Sequence, residues 1–263
     1  MSAPSKTESR SGQKTGVYVY GILPGDVELT SEIDGVGDPP GQVRLVRSGE
    51  LAALVSDVDL SRVLGRPADL EVHEEIVDSI VAGSPVLPVR FGAVLTDEDA
   101  VVSELLEPHR EEFQAALEEL EGRAEYLVKG RYAEGAILAE ILSEDPEAAE
   151  LAEQTRGQDP DATREQRIRL GELINNAVSD KREQDTHALV SRVADLAAAS
   201  FVREPTHELD AVYAAFLVED DAAEEFERTV QDMGQGWEGR VELSLHGPMA
   251  PWDFVGARQE SQG

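Results

Sequence analysis

Two prolines stand in one short apolar run, Ser84-Pro-Val-Leu-Pro-Val-Arg-Phe-Gly92, and they limit what this chain can build. Each proline removes a ladder donor, so a strand carrying Pro85 and Pro88 belongs at the edge or end of a sheet. The interior must come from other segments. Gly16-Val-Tyr-Val-Tyr-Gly-Ile-Leu23 suits a strand with two apolar faces, and Leu209 to Val218 is apolar almost throughout, as a central strand is.

The first block begins at Gly16. A loop rich in Gly and Pro follows, from Pro24 to Gly41, and then two strands, Val43 to Arg47 and Leu51 to Val58. Ser48-Gly49-Glu50 joins them as a hairpin turn, with Gly49 available for positive φ. Asp69 is placed to cap a helix through about Val81 that carries Val72, Ile76 and Ile80 on one face. The proline-bearing segment then enters as a fourth strand. The order β-β-β-α-β resembles a ferredoxin-like sheet whose first crossover helix is replaced by a loop. A helical pattern from Thr96 to about Glu121 follows, which Pro108 should kink or split.

A second block starts at Arg123. Tyr126 to Arg131 reads as a strand and Glu134 to Arg156 as one helix. Asp159 and Pro160 carry the cap and first-turn signature of the next helix. These two helices predict an αα-hairpin, and the wholly polar stretch from Ser179 to Thr186 predicts that part of it is solvated. The strand from Leu209, a helix around Phe226 and Val230, and an alternating strand from Val241 to Leu245 complete the block.

Composition bounds the function. Five histidines form no pair at helical spacing, and position 77 is valine, so His73-Glu74 opens no His-Glu-x-x-His motif. There is no cysteine, phosphate loop or nucleophile elbow. No catalyst, metal site or cofactor site is visible. Fifty-four acids against 23 bases, of which four are Lys, give a net charge of −31. Such a surface repels phosphate backbones, so nucleic acid is not an expected partner. It suits a halophilic, salt-rich cytoplasm, where screening relieves self-repulsion, or an ordinary acidic protein that prefers Arg to Lys. No run approaches the roughly 20 apolar residues that span a bilayer, so no membrane association is expected.

Three segments in order carry a resemblance: Ser84 to Gly92, Glu125-Tyr-Leu-Val-Lys-Gly-Arg-Tyr132, and Leu245-His-Gly-Pro-Met-Ala-Pro-Trp-Asp-Phe254. With the opening strand from Gly16, they resemble the F/L family of gas vesicle accessory proteins. The resemblance implies an α+β fold of two modified ferredoxin-like domains, the second with a long inserted helical hairpin. The expected layout is a disordered tail over 1–15, a first domain over 16–95 and connecting helices over 96–122. A second domain follows over 123–255, with the insert at 134–200, and then a mobile tail over 256–263.

The resemblance further implies a non-enzymatic accessory protein, cytoplasmic and gas vesicle associated. It would bind the hydrophobic shell protein and other accessory proteins during nucleation or assembly. The alternatives are a minor structural component of the vesicle shell, or a small-molecule-binding enzyme or sensor on a ferredoxin-like scaffold. Arg90, beside Phe91 at a strand end, is placed either for a partner carboxylate or for an internal ion pair that anchors the junction into the helix from Thr96. Lys129 and Arg131 invite the same two readings. The aromatic tail with Trp252 and Phe254 either grips an apolar partner or packs back over its own sheet as a latch.

Overall fold

The computed structural model describes residues 15–62 and 64–255. The tails expected over 1–15 and 256–263 lie outside the described residues, Thr15 apart. The chain divides into two compact units, one running to Gly122 and resuming at Pro248, the other spanning Arg123–Gly247. Both combine helices with an antiparallel sheet.

The first unit holds strands β1 (Thr15–Pro24), β2 (Arg44–Ser48) and β3 (Leu51–Asp59), helix α1 (Pro67–Val81), and the short strands β4 (Leu87–Pro88) and β5 (Val94–Leu95). Helix α2 (Glu98–Ala100) runs into a π-helical turn over Val101–Leu106, and α3 (Arg110–Leu120) follows. The sheet order is β2-β3-β1-β4, with β5 also on β1. Central β1 is buried on both faces from Gly16 to Leu23, as its double apolar alternation requires. Gly49 turns the β2–β3 hairpin at φ 64°. Pro108 does split the helical stretch. Just before it, Glu107 N–H reaches back to Val102 O at 2.9 Å, the wide spacing of a π turn.

Two local expectations are corrected here. Asp69 is not the cap of α1; it sits one turn in, and its carboxylate reaches back to the N–H groups of Arg66 and Gly65 at 3.0 and 3.2 Å. Pro67 takes the first helical position instead. The segment Ser84 to Gly92 is not one strand. Only Leu87–Pro88 pairs with β1, and contact resumes at Val94–Leu95.

The second unit holds β6 (Arg123–Tyr132), α4 (Glu134–Glu144), α5 (Pro146–Thr155), α6 (Arg164–Val193), β7 (Ala199–Val202), β8 (Asp210–Glu219), α7 (Ala223–Gly236) and β9 (Val241–Met249). Its sheet order is β7-β8-β6-β9. Tyr126 of β6 and Phe216 of β8 pack against Phe226 of α7, with ring centroids 5.5 and 5.3 Å apart.

The insert differs from the expected two-helix hairpin. Asp145 accepts the N–H groups of Glu147 and Ala148 at 2.9 and 3.1 Å, and Pro146 opens a new helix, so Glu134 to Arg156 is two helices. The next helix starts at Arg164 and not at Pro160. Its polar middle is solvated in part, as expected, with Ser179, Asp180, Glu183 and Gln184 exposed, but one side of it is packed. Lys181 is buried and bonds Glu140 and Glu144 at 2.6 and 2.7 Å, while Arg182 donates to the carbonyls of Asp210 and Glu208. The insert also leads into β7, an edge strand that the sequence reading passed over. Residues 96–122, expected as connecting helices, belong to the first unit, and so does the chain from Pro248, expected to close the second domain.

Candidate functional site

The densest constellation of chemically capable side chains lies in the first unit, around His73. Apolar spacing turns His73, Ile76 and Val77 of α1 inward, and His73 ends fully buried against β1. Tyr18 and Tyr20 of β1 flank it, their rings 5.6 and 5.5 Å from the imidazole. Nε2 of His73 lies 3.0 Å from Val89 O and Nδ1 lies 2.9 Å from the Tyr18 hydroxyl. A carbonyl only accepts, so Nε2 carries the proton and Nδ1 receives the phenol hydrogen. The Tyr18 oxygen accepts in turn from Gly92 N–H at 3.1 Å.

Burial favours the neutral imidazole over the charged one. Burial pushes the His73 pKa below its ordinary 6.5, against a smaller opposing effect of the Val89 carbonyl. Burial likewise raises the Tyr18 phenol well above 10. Tyr20 extends the network. Its hydroxyl lies 2.8 Å from Ser56 Oγ and accepts the Val36 N–H at 2.8 Å, which ties the long loop after β1 to the sheet. Gly35 is required there by close approach: a Cβ would stand 2.5 Å from both the Tyr20 hydroxyl and Ser56 Oγ.

The proline-bearing segment forms one wall. Val89 N–H bonds Tyr20 O and Val19 N–H bonds Ala93 O, each at 2.9 Å, so Arg90-Phe91-Gly92 loops out between two points of attachment. Gly92 accommodates the turn at φ 92°. Phe91 folds inward, its ring 5.7 Å from His73 and 5.9 Å from Tyr18. Arg90 points the other way. It is exposed and makes no ion pair or hydrogen bond among the described residues, so it anchors no junction into the following helix.

The aromatic tail forms the lid. Asp78 of α1 accepts Ala250 N–H at 2.8 Å and the Trp252 indole N–H at 3.4 Å. The indole settles 5.5 Å from His73. Burial raises the Asp78 pKa above its ordinary 3.8, although both bonds favour the charged form. Phe254 is half-buried in the turn that ends the tail, its N–H bonded to Pro251 O at 3.2 Å. The tail therefore latches onto α1 of the first unit and not over the second unit's sheet, as the latch reading had it. Chemically, the constellation is closed. His73, Tyr18 and Tyr20 spend their polar atoms on one another, on Ser56 and on the backbone, and aromatic rings pack around His73. Among the described residues, no group of His, Asp or Glu has the placement to hold a metal ion, and no helix is long and apolar enough to cross a membrane.

Three of the four segments that carry the resemblance meet at His73: the opening strand, the proline-bearing run and the aromatic tail. The model of the gas vesicle synthesis protein GvpL/GvpF family matches residues 16–256. The chain belongs to that family. It is 36% identical to gas vesicle protein F of Streptomyces sp. (strain CB03234), with 90% of this chain and 98% of the relative aligned. It is 29% identical to gas vesicle protein L of the same strain, over 92% of this chain and 94% of the relative. The fold is similar to the crystal structure of GvpF from Anabaena sp. PCC7120, with a TM-score of 0.76 at 24% identity, covering 92% of this chain and 98% of that one.

In this GvpL/GvpF chain, Lys129 and Arg131 lie in the second unit, apart from the residues gathered at His73. Lys129 sits 5.0 Å above the Tyr213 ring and bonds Thr206 Oγ1 at 3.3 Å. Exposed Arg131 approaches buried Asp210 at 3.7 Å. Burial raises the Asp210 carboxyl, but bonds from Thr206 and His207 and the Lys129 charge outweigh it and hold the pKa below the usual range. Of the six residues expected at a binding site, Phe91 and Trp252 both lie against His73, Phe254 is near Trp252 in the chain, and Arg90 is exposed. Asp78 and Tyr18 were missed. Asp78 looks like one more acid on a solvated helix, and only the position of the tail reveals its role.

Proposed function

We propose that this protein is a non-enzymatic accessory factor of gas vesicle formation that binds the hydrophobic shell protein and other accessory proteins during nucleation or assembly. The observation that carries the proposal is the family match over residues 16–256, in which every segment used for recognition is included. The sealed network around His73 supports a role without catalysis, because a substrate would have to displace Phe91 or Trp252 to reach a titratable atom. The two sheets, each with its third strand between its first and second, are read as two modified ferredoxin-like domains. The net charge of −31 would keep a complex with an apolar subunit dispersed in the cytoplasm, most effectively in a saline one.

The test is genetic and biochemical. Deletion of the gene from a vesicle-forming strain should abolish or deform vesicles, and the shell subunit should co-purify with the tagged protein. Normal vesicles after deletion would overturn the proposal.

A further inference from the structure

The first unit carries an apolar groove that no described segment of the chain fills. Its volume is about 1170 Å³, and it is walled by the loop after β1, by α1 and by α3. Val27, Leu29 and Ile33 of the loop, Val72 and Ile80 of α1, and Leu117 of α3 make its floor. The rim is anionic. Asp26, Glu28 and Asp34 stand on the loop side, Glu50 and Glu75 at the hairpin and α1, and Glu118 and Glu121 along α3, all exposed.

An acidic chain is acidic everywhere, so the sign alone says little. What this rim adds is its placement, since the seven carboxylates ring an apolar floor. No Lys or Arg lines the groove, and among the described residues none of these seven carboxylates makes an ion pair.

We infer that this groove takes a cationic amphipathic helix of a partner protein, apolar face down and basic face against the rim. The volume exceeds the roughly 300–1,000 Å³ of small-molecule sites. It matches about two to three turns of a helix some 10–12 Å across. An extended peptide would need a free sheet edge, and the strand residues in the lining, Pro24 and Leu51, are already paired with each other. A helix satisfies its own backbone and needs no such edge. A second copy of this chain is a poor occupant at a net charge of −31, and its most basic helical stretch, Arg164 to Leu170, already spends Arg167 on the Thr155 carbonyl and Arg169 on Glu147. The inference names the chemistry of a partner for the accessory role proposed above and rests on that role.

The test is fluorescence anisotropy with the full chain and a synthetic peptide of about 15 residues, long enough to be helical, with Leu on one face and Lys on the other. A scrambled peptide of the same composition controls for charge alone. Binding should weaken by about tenfold or more in Glu75→Lys/Glu118→Lys and clearly in Leu29→Ser, each checked for native circular dichroism. An equal charge change on α6, Glu165→Lys/Glu183→Lys, should move it by about twofold or less. Equal binding of the scrambled peptide, or an equal loss in the α6 variant, would overturn the inference. So would a dimer by sedimentation that the groove reversal dissolves, because the occupant would then be a second copy. Failure here leaves the vesicle role to the deletion experiment, whereas normal vesicles on deletion would sink that role and leave the peptide result standing.

Discussion

Asp78 holds Ala250: one oxygen of its carboxylate accepts the Ala250 N–H at 2.8 Å, across 172 positions of chain. The same oxygen receives the Trp252 indole, so a single half-buried carboxylate fastens the tail. Asp78→Ala should lower stability by about 1–3 kcal/mol, the cost of leaving a buried donor unmade. Asp78→Asn keeps an acceptor and should lose less than half as much. Urea unfolding measures both, and limited proteolysis should show the tail released first in the alanine variant.

The latch also has a pH signature. His73 is held neutral by burial, so the unfolded chain binds more protons than the folded one once pH drops below the ordinary value of 6.5. Its contribution is present above that pH and is lost as pH falls. Asp78 has the opposite sign: its raised pKa means that its contribution is present below the ordinary 3.8 and is lost as pH rises through the folded value. Urea midpoints between about pH 7 and pH 5 should therefore fall in the parent protein and flatten in His73→Gln. An unchanged slope in that variant would contradict the assignment.

Two glycines should respond in opposite directions. Gly35→Ala drives a methyl to 2.5 Å from the Tyr20 hydroxyl and Ser56 Oγ, and should cost about 1–3 kcal/mol by overpacking. Gly171→Ala lies in α6 with nothing within 4 Å, and should stabilise by about 0.5–1 kcal/mol through helix propensity. Thermal unfolding of the two variants separates them.

In the second unit, the buried ammonium of Lys181 is held by Glu140 and Glu144. Burial works against its charge, and the two carboxylate bonds outweigh that and raise its pKa. Lys181→Ala should destabilise by about 2 kcal/mol, less than the loss from a fully buried pair because Glu144 remains largely exposed. Arg240, bonded to Glu140 at 2.7 Å and Asp185 at 2.9 Å, belongs to the same network, so a Lys181→Ala/Arg240→Ala cycle should be non-additive.

Strands were legible where burial on both faces removes nearly all charged residues, as in Gly16 to Leu23 and, Asp210 apart, in Leu209 to Val218. The proline-bearing run was legible as an edge, but its division into two rungs was not. That division depends on Gly92 and on Phe91 finding His73, neither of which periodicity records. The polar middle of α6 was read correctly as solvated in part, with Ser179, Asp180, Glu183 and Gln184 exposed, but its packed side was not foreseen. A buried ion network and a solvated face read alike in sequence, and only the partners Glu140 and Glu144 decide between them. Two readings were open for the tail; it packs back on its own chain, but on α1 and not over the expected sheet, because nothing local marks Asp78 as its acceptor.

The most direct test is vesicle yield, counted by electron microscopy, in a deletion strain complemented with the parent gene or with His73→Gln. The account predicts no normal vesicles in the deletion strain and recovery with either gene, provided that His73→Gln accumulates as soluble protein. Normal vesicles without the gene, or a soluble His73→Gln that fails to restore them, would contradict it.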